Sequence, residues 1–206
     1  ILIILKYYNS RGIDLEYKIN SISNKLERME GAENIEQLMA IEGNIRDEYY
    51  GCFNKIIKNP NFGFTVRSRR PPRDNINSLI SFGNALIYTT VLGEVYQTQL
   101  DPRIGYLHST NERRFTLNLD IAEIFKPIIV DRTIFSLLNK EIITTKDFEK
   151  DFNGILISEK GKKKFLEEYN RKLDTVIKHP YLNINVSYKR LIRLELYKIQ
   201  KHITEN

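Results

Sequence analysis

The chain has 206 residues, of which 41% are hydrophobic, so it is long and apolar enough to build one substantial core. Its 32 Lys and Arg residues outnumber its 26 Asp and Glu residues, and the formal net charge of +6 favours a polyanionic partner without requiring one. The single cysteine, Cys52, excludes an internal disulfide framework and a cysteine-based zinc cluster. The apolar run at residues 1–5 is too short to span a membrane or to form the core of a signal peptide, so we expect a soluble protein without a membrane partner.

Apolar residues recur at helical spacing along most of the chain, and the strict alternation typical of strands is rare. The pattern therefore predicts a mainly α, compact multi-helix fold, with residues 1–206 forming a single domain. Pro127 is expected to start a new turn or to kink the helix that contains it. Residues 142–145 and 154–157 are the only segments that read as strands, and we expect them to form a small hairpin. The predicted helices cover about 1–10, 15–29, 35–58, 75–99, 117–138, 159–179 and 183–203.

Glu42 is a carboxylate within an apolar stripe that runs along the third predicted helix, so position 42 is expected to face the core. An unpaired buried carboxylate is costly, so Glu42 needs a cation, a metal ion or a proton. The simplest partner is Arg46, one helical turn further on. A metal ion is the alternative.

Three further residues have the chemistry of metal ligands. Asp120 and Glu123 are three residues apart on one predicted helix and therefore share a face, while His108 lies in a short apolar turn. Carboxylates together with one imidazole suit a hard divalent cation such as Mg²⁺ or Mn²⁺. The alternatives are an acidic face that pairs with Lys126 and a histidine that caps a turn.

A basic loop separates the third and fourth predicted helices. Residues 67–73 contain four arginines, among them Arg69 and Arg70, beside Pro71 and Pro72. A proline-stiffened loop loses little entropy when its guanidinium groups bind phosphates, although a solvated loop would have the same composition.

Four segments of the chain, in this order, resemble one protein family, the CRISPR-associated integrase Cas1 that acquires new spacers. The segments are residues 42–50 (EGNIRDEYY), 69–74 with 77–83 (RRPPRD and NSLISFG), 100–108 (LDPRIGYLH) and 114–127 (RFTLNLDIAEIFKP). The resemblance identifies the chain as the family's helical catalytic domain, with the metal-site motifs between residues 42 and 127. The family's N-terminal β-rich domain is expected to be absent, in keeping with a chain that begins with Ile1.

This resemblance implies a metal-dependent DNA endonuclease and integrase of the prokaryotic cytoplasm. Its metal ligands fall on Glu42, His108 and Glu123, with Asp120 as a supporting catalytic acid that also rivals Glu123 for the metal. The implied cofactor is Mg²⁺ or Mn²⁺. The implied reaction joins 3′-hydroxyl ends of foreign DNA to the CRISPR array by transesterification, and DNA nicking is the hydrolytic counterpart.

The family also supplies expectations about partners: DNA, a second copy of the full-length protein, and the small protein Cas2. Positive positions of the motifs are candidates either for phosphate contacts or for holding the ligand carboxylates, and sequence does not separate the two roles. These positions are Arg46, Arg69, Arg70, Arg114 and Lys126. A non-catalytic helical DNA-binding module and a scaffold for Cas2 are the alternative functions, but both are disfavoured because all three ligand positions are retained.

Overall fold

Helices form most of the structure, which is a computed structural model that describes residues 1–108, 115–152 and 154–205. This confirms the mainly α fold class predicted from apolar spacing. Asn34, Asp74 and Ser158 cap the N-termini of three helices through their side-chain oxygens, which explains where those helices begin. The helices are α1 (Leu2–Asn9), α2 (Glu16–Met29), α3 (Ile35–Tyr50), α4 (Phe53–Ile56), α5 (Asn75–Val95), α6 (Leu117–Lys126), α7 (Arg132–Asn139), α8 (Glu159–Leu173) and α9 (Tyr188–Glu205).

The short strands differ from the prediction. Strand β1 is Phe148–Asp151 and pairs in antiparallel fashion with β2, Gly154–Ile157, so the second predicted strand is confirmed and the first, at 142–145, is wrong. A second antiparallel pair, β3 (Val176–Lys178) with β4 (Asn185–Ser187), replaces the expected ends of two helices. These three-residue strands are too short to show an alternating pattern in sequence.

The helix predicted to run from residue 35 to 58 is interrupted. Helix α3 ends at Tyr50, a turn follows at Gly51, and α4 then begins at Phe53. The interruption lets Phe53 reach the core, where its ring lies 4.8 Å from the ring of Phe135 between centroids. Apolar spacing alone cannot reveal such a break because both helices bury residues in the same core.

Pro127 has the effect expected of it. It ends α6 and begins a π-helical segment, Pro127–Asp131, which continues directly into α7. A proline has no backbone N–H to donate, so it is tolerated at the first position of such a segment. The wider turn places Ile129, Val130 and Asp131 in the interior.

Helix α5 is the central helix of the fold. It packs against α6, α7, α9, the π-helical segment and β2, and Gly83 lets it come so close that a Cβ there would clash with Val130 and Phe165. With a mean hydropathy of 1.2, α5 is long and apolar enough to cross a membrane by length and composition alone. Its position among these elements accounts for that composition as a core helix.

Candidate metal centre

Two of the predicted ligands meet at one guanidinium group. Arg46 lies one turn after Glu42 on α3 and forms ion pairs with both Glu42 and Glu123, the latter on α6. Burial disfavours the charge of Arg46, but the carboxylates of Glu123 and Glu42 outweigh burial and raise its pKa above the ordinary value. The fold therefore brings residues 81 positions apart in sequence to a common cation.

Glu42 is more exposed than expected. Its side chain is 41% exposed, so the prediction that position 42 faces the core is wrong. The N-terminal half of α3 is not covered by other described parts of the chain. Two apolar residues of this half, Ile35 and Met39, are therefore also exposed, at 49% and 38%. The ion pair with Arg46, the simplest partner expected from the sequence, is present.

Glu123 lies in a more enclosed setting than Glu42. Its side chain is 21% exposed and also pairs with Lys126, whose ammonium donates to the Tyr88 hydroxyl at 2.5 Å and lies 4.5 Å from the centre of that ring. Burial disfavours the charge of Glu123, but Lys126 and Arg46 together lower its pKa below the ordinary value. The carboxylate is therefore ionised at neutral pH, as a metal ligand must be.

Asp120 and His108 form a pair beside this group. The imidazole Nδ1 of His108 lies 2.5 Å from Asp120 Oδ1, and Asp120 also accepts backbone N–H bonds from Tyr106 at 2.6 Å, Leu107 at 3.1 Å and His108 at 3.3 Å. An ionised carboxylate only accepts hydrogen bonds, so it favours the tautomer with the proton on Nδ1 and the lone pair on Nε2. Asp120 thus fixes both the turn that carries the histidine and the orientation of its ring.

The turn before His108 is tightly packed. A Cβ at Gly105 would lie 2.8 Å from Asp120 Oδ2 and 2.8 Å from Thr116 Oγ1. Thr116 in turn donates to the Arg103 carbonyl at 2.8 Å. Position 105 therefore needs a residue without a side chain if Asp120 is to receive the N–H groups that follow.

The donor chemistry fits a hard divalent cation. Within the described ranges, no three His, Cys, Asp or Glu side chains are grouped closely enough to hold a metal ion. Glu42 and Glu123 nevertheless share one cation, Arg46, and Asp120, one turn before Glu123 on α6, pairs with His108. Two carboxylates and one imidazole held from behind by a carboxylate are suitable ligands for Mg²⁺ or Mn²⁺.

The arginine loop is built around one buried amide. Asn77 is fully buried on α5, where its side chain accepts from Ser68 N at 2.9 Å and from Arg67 Nη1 at 2.8 Å, and donates to the Val66 carbonyl at 2.9 Å. Arg67 is thereby turned inward and also donates to Ser81 Oγ at 3.0 Å. Arg67 stabilises the loop and does not point its charge into solvent.

Arg69 and Arg70 are exposed and form no ion pair with any residue that the structure describes. The hairpin of β1 and β2 supports their loop from the other side, since Ile155 N donates to the Pro72 carbonyl at 2.9 Å. A Cβ at Gly154 would lie 2.5 Å from that same carbonyl oxygen. The two guanidinium groups are thus free for an external anion on a loop that is fixed at both sides.

Sequence reasoning missed several residues of this region. Tyr88 contacts Lys126, and Asn77 organises the arginine loop, but neither stands out in sequence because a tyrosine or an asparagine on a helix is unremarkable. Buried polar side chains on an otherwise apolar helix are the signal that would have found Asn77. Arg114, a predicted contact residue, lies outside the described residues.

A buried acid lies further along the same helical run as Glu123. Asp131 is 4% exposed, and burial raises its pKa to about 7 against the lowering influence of Tyr49 and Arg46. Tyr49, on α3, is 1% exposed. The site is therefore backed by a carboxyl group that takes up a proton near neutral pH.

Comparison with known proteins agrees with the motif resemblance. The family model described as CRISPR associated protein Cas1 matches residues 1–171. A relative from Thermodesulfovibrio yellowstonii, described as CRISPR-associated endonuclease Cas1 2, is 54% identical over 202 residues, which are 98% of this chain and 61% of the relative. The chain spans about three fifths of the length of the curated relatives it matches.

Solved structures share the fold. A Cas1 protein from Thermotoga maritima is 43% identical and superposes with a TM-score of 0.88 over 98% of this chain and 63% of its own. A casposase bound to integration product has the same fold at 21% identity, with a TM-score of 0.79 over 99% of this chain and 62% of its own. The family match and these identities show that the chain belongs to the Cas1 family of CRISPR-associated proteins.

Proposed function

We propose that this chain is the catalytic domain of a metal-dependent DNA endonuclease and integrase of CRISPR adaptation. The observation that carries the proposal is the convergence of Glu42 and Glu123 on Arg46, with Asp120 holding His108 from the helix that carries Glu123. The Thermodesulfovibrio relative is described as an endonuclease, which supports the proposed endonuclease activity. The integrase activity rests on the family resemblance.

Glu42, His108 and Glu123 would hold the metal ion, and Asp120 would orient His108 from behind. When bound, Mg²⁺ or Mn²⁺ supplies Lewis-acid activation of the attacking oxygen and neutralises charge that develops on the phosphoryl group. Asp120 is the weaker candidate for direct ligation because its oxygens already accept from His108 Nδ1 and three backbone N–H groups. Glu123 is therefore the third ligand in this account.

The reaction exchanges one phosphodiester bond for another. The oxygen of a 3′-hydroxyl forms a bond to phosphorus as the existing P–O bond breaks, the hydroxyl proton is released, and the departing oxygen takes up a proton. Hydrolytic nicking is the same substitution with water as the attacking group. The chain's own residues bind and orient: Arg69 and Arg70 would contact backbone phosphates, since neither forms an ion pair with a carboxylate of the described residues.

Arg46 and Lys126 hold the ligand carboxylates in this proposal. Both contact Glu123 directly, and Lys126 is fixed further by Tyr88. Their charges offset the repulsion between carboxylates that would otherwise oppose folding of the site. Entry of a divalent cation would then require Arg46 to release at least one carboxylate, because the two cations compete for the same oxygens.

Nicking of branched DNA in the presence of Mn²⁺ tests the activity. We expect Glu42→Gln, His108→Ala and Glu123→Gln each to abolish nicking, while Glu36→Gln, an exposed position on the same helix as Glu42, cuts like the unsubstituted chain. Equal nicking by the ligand variants and Glu36→Gln would refute the proposed site.

A non-catalytic DNA-binding module is the second candidate. The observation in its favour is that Arg46 occupies the carboxylates, within a region where the described side chains form no ready three-ligand group. It predicts that the unsubstituted chain binds branched DNA equally in Mn²⁺ and in a chelator and never cuts it.

The partners and the cellular setting follow from the family and are proposed with it. We propose DNA as substrate, a homodimer of the full-length protein, Cas2 as the partner subunit, and the prokaryotic cytoplasm as location, since the relatives come from prokaryotes. Co-elution of the full-length protein with purified Cas2 in size-exclusion chromatography tests the assembly. Separate elution at micromolar concentrations would contradict it.

A further inference from the structure

A cleft of about 500 Å³ lies between α1, α7 and α8, and none of its lining residues belongs to the metal centre or to the arginine loop. Its polar walls are strongly basic. Among the lining residues the only carboxylate is Glu168, which pairs with Arg171. The cations that line the cleft are Arg11, Arg132, Lys140, Arg171 and Lys172.

Four of these cations have no anionic partner. Arg11, Arg132, Lys140 and Lys172 form no ion pair with any residue in the described ranges. A concave surface lined by charges of one sign focuses the electrostatic field and concentrates counter-ions. The cleft therefore attracts anions more strongly than the same charges would on a flat surface.

The fold gathers these charges at close range. The guanidinium carbons of Arg11 and Arg132 lie 4.3 Å and 5.0 Å from the centre of the Tyr7 ring. Burial lowers the pKa of Lys172 to about 8, and the charge of Arg132 adds to the effect. Like charges held together in a partly desolvated place destabilise the free protein, and a bound anion relieves that repulsion.

We propose that this cleft is a second phosphate-binding site, which takes backbone phosphates of a nucleic acid strand. Guanidinium groups match the oxygens of phosphates and carboxylates in geometry, which favours either anion over a simple halide. Five cations in one cleft favour a ligand with several negative charges over a single carboxylate. Arg132 and Lys140 stand at the two ends of α7, roughly 12 Å apart along the helix axis. Charges spread over this length suit a strand with successive phosphates better than a single orthophosphate.

The test measures binding of a fluorescently labelled 20-nucleotide single strand by anisotropy, in a chelator so that no metal-dependent step contributes. Each lost phosphate contact reduces the slope of log affinity against log salt by about 0.7 for single strands. We expect the double variant Lys140→Gln with Lys172→Gln to lower the slope by about 1.4. The charge-matched control, Lys160→Gln with Lys163→Gln earlier on the same helix as Lys172, should leave the slope unchanged.

A variant that binds the strand more tightly cannot be explained by misfolding, so it complements the variants that are expected to lose binding. Glu168→Gln removes the cleft's carboxylate and releases Arg171, so this variant is expected to bind the strand more tightly than the unsubstituted chain. Calorimetric titration with ATP and with orthophosphate identifies the source of the phosphate. The strand proposal would be overturned if ATP or orthophosphate bound tightly, and if the double variant lost that binding but still bound the strand unchanged. The cleft would then be a site for a free phosphate compound.

Equal salt slopes for the cleft variant and the control, without any ATP or orthophosphate binding, would overturn the site altogether. Because the measurement uses a chelator and leaves Glu42, His108 and Glu123 in place, its failure is independent of the proposed nuclease activity. Loss of nicking without loss of strand binding would affect only the metal centre.

Discussion

The carboxylate of Asp120 lies 2.5 Å from Nδ1 of His108 and accepts three backbone N–H groups from the turn that carries this histidine. A single side chain therefore sets the position, the tautomer and the ring orientation of a proposed ligand. This arrangement is the one found behind metal-binding histidines in general, where the outer carboxylate contributes to metal affinity without touching the metal.

Asp120→Asn should weaken Mn²⁺ binding by roughly 10-fold to 100-fold, because an amide keeps the size of the side chain but loses the charge that fixes the His108 tautomer. Calorimetric titration measures the affinity. Asp101→Asn, at a partly exposed carboxylate that lies in the same loop and pairs with Arg103, is the matched control and should bind as before. Equal affinity in both variants would mean that Asp120 does not position a ligand.

Arg46→Gln should destabilise the metal-free protein by about 1.5–3 kcal/mol at pH 7, because it removes charged hydrogen bonds to Glu42 and Glu123. The pKa of Glu123 is lowered in the folded state, so the stability it contributes is present above its unfolded pKa near 4.5 and is lost as the pH falls. The destabilisation should therefore shrink toward pH 3. Thermal unfolding at pH 3, 5 and 7 measures it, and a pH-independent loss would contradict the ion-pair explanation.

Arg46→Gln should also bind Mn²⁺ more tightly than the unsubstituted chain, since the guanidinium no longer competes for the two carboxylates. Calorimetric titration measures the two affinities. Arg103→Gln, which removes an exposed guanidinium from an ion pair outside the centre, supplies the comparison. Weaker binding in Arg46→Gln would show that Arg46 organises the ligands in the metal-bound state.

Asn77→Ala should loosen the arginine loop, because the substitution leaves the Ser68 N–H and the Val66 carbonyl without their partner. Each lost hydrogen bond costs about 0.5–1.5 kcal/mol, so the melting temperature should fall and DNA affinity with it. Asn84→Ala, on the same helix, is the control. If DNA binding is unchanged at a temperature where Asn77→Ala is folded, the loop does not contact DNA.

Asp131→Asn should change how stability depends on pH. Burial raises the pKa of Asp131 to about 7 in the folded protein, so its contribution is fully present below its unfolded pKa near 4 and is lost as the pH rises toward 7. Each tenfold difference in proton affinity corresponds to about 1.4 kcal/mol. The unsubstituted chain should therefore lose stability relative to the Asn variant between pH 4 and pH 8 in chemical unfolding, and parallel curves would contradict this.

Periodicity predicted the elements that are long and amphipathic. Helices α2 and α8 begin close to where apolar spacing places them, and Pro127 ends α6 as its missing N–H requires. The pair β3 and β4 was missed because three-residue strands carry no period, and because charged residues before and after them continue a helical pattern. The local sequence pattern does not reveal where tertiary contacts interrupt a helix.

The composition of the candidate site stays a prediction from the motifs, and its arrangement could not be predicted from the sequence. The ordered motifs identified the family, which the comparisons confirm, and they named Glu42, His108 and Glu123. The shared contact with Arg46 joins α3 to α6, and no spacing rule connects two helices so far apart in sequence. The exposure of Glu42 also depends on what covers α3, which periodicity does not describe.

Calorimetric titration with Mn²⁺ tests whether the chain has the proposed metal site. The unsubstituted chain is compared with Glu42→Ala, His108→Ala and Glu123→Ala, and with Glu36→Ala as the control. We expect one binding site in the unsubstituted chain and in Glu36→Ala, and loss of that site in each of the three ligand variants. Unchanged binding in any ligand variant, or no binding by the unsubstituted chain, would contradict the claim that these three residues hold the metal.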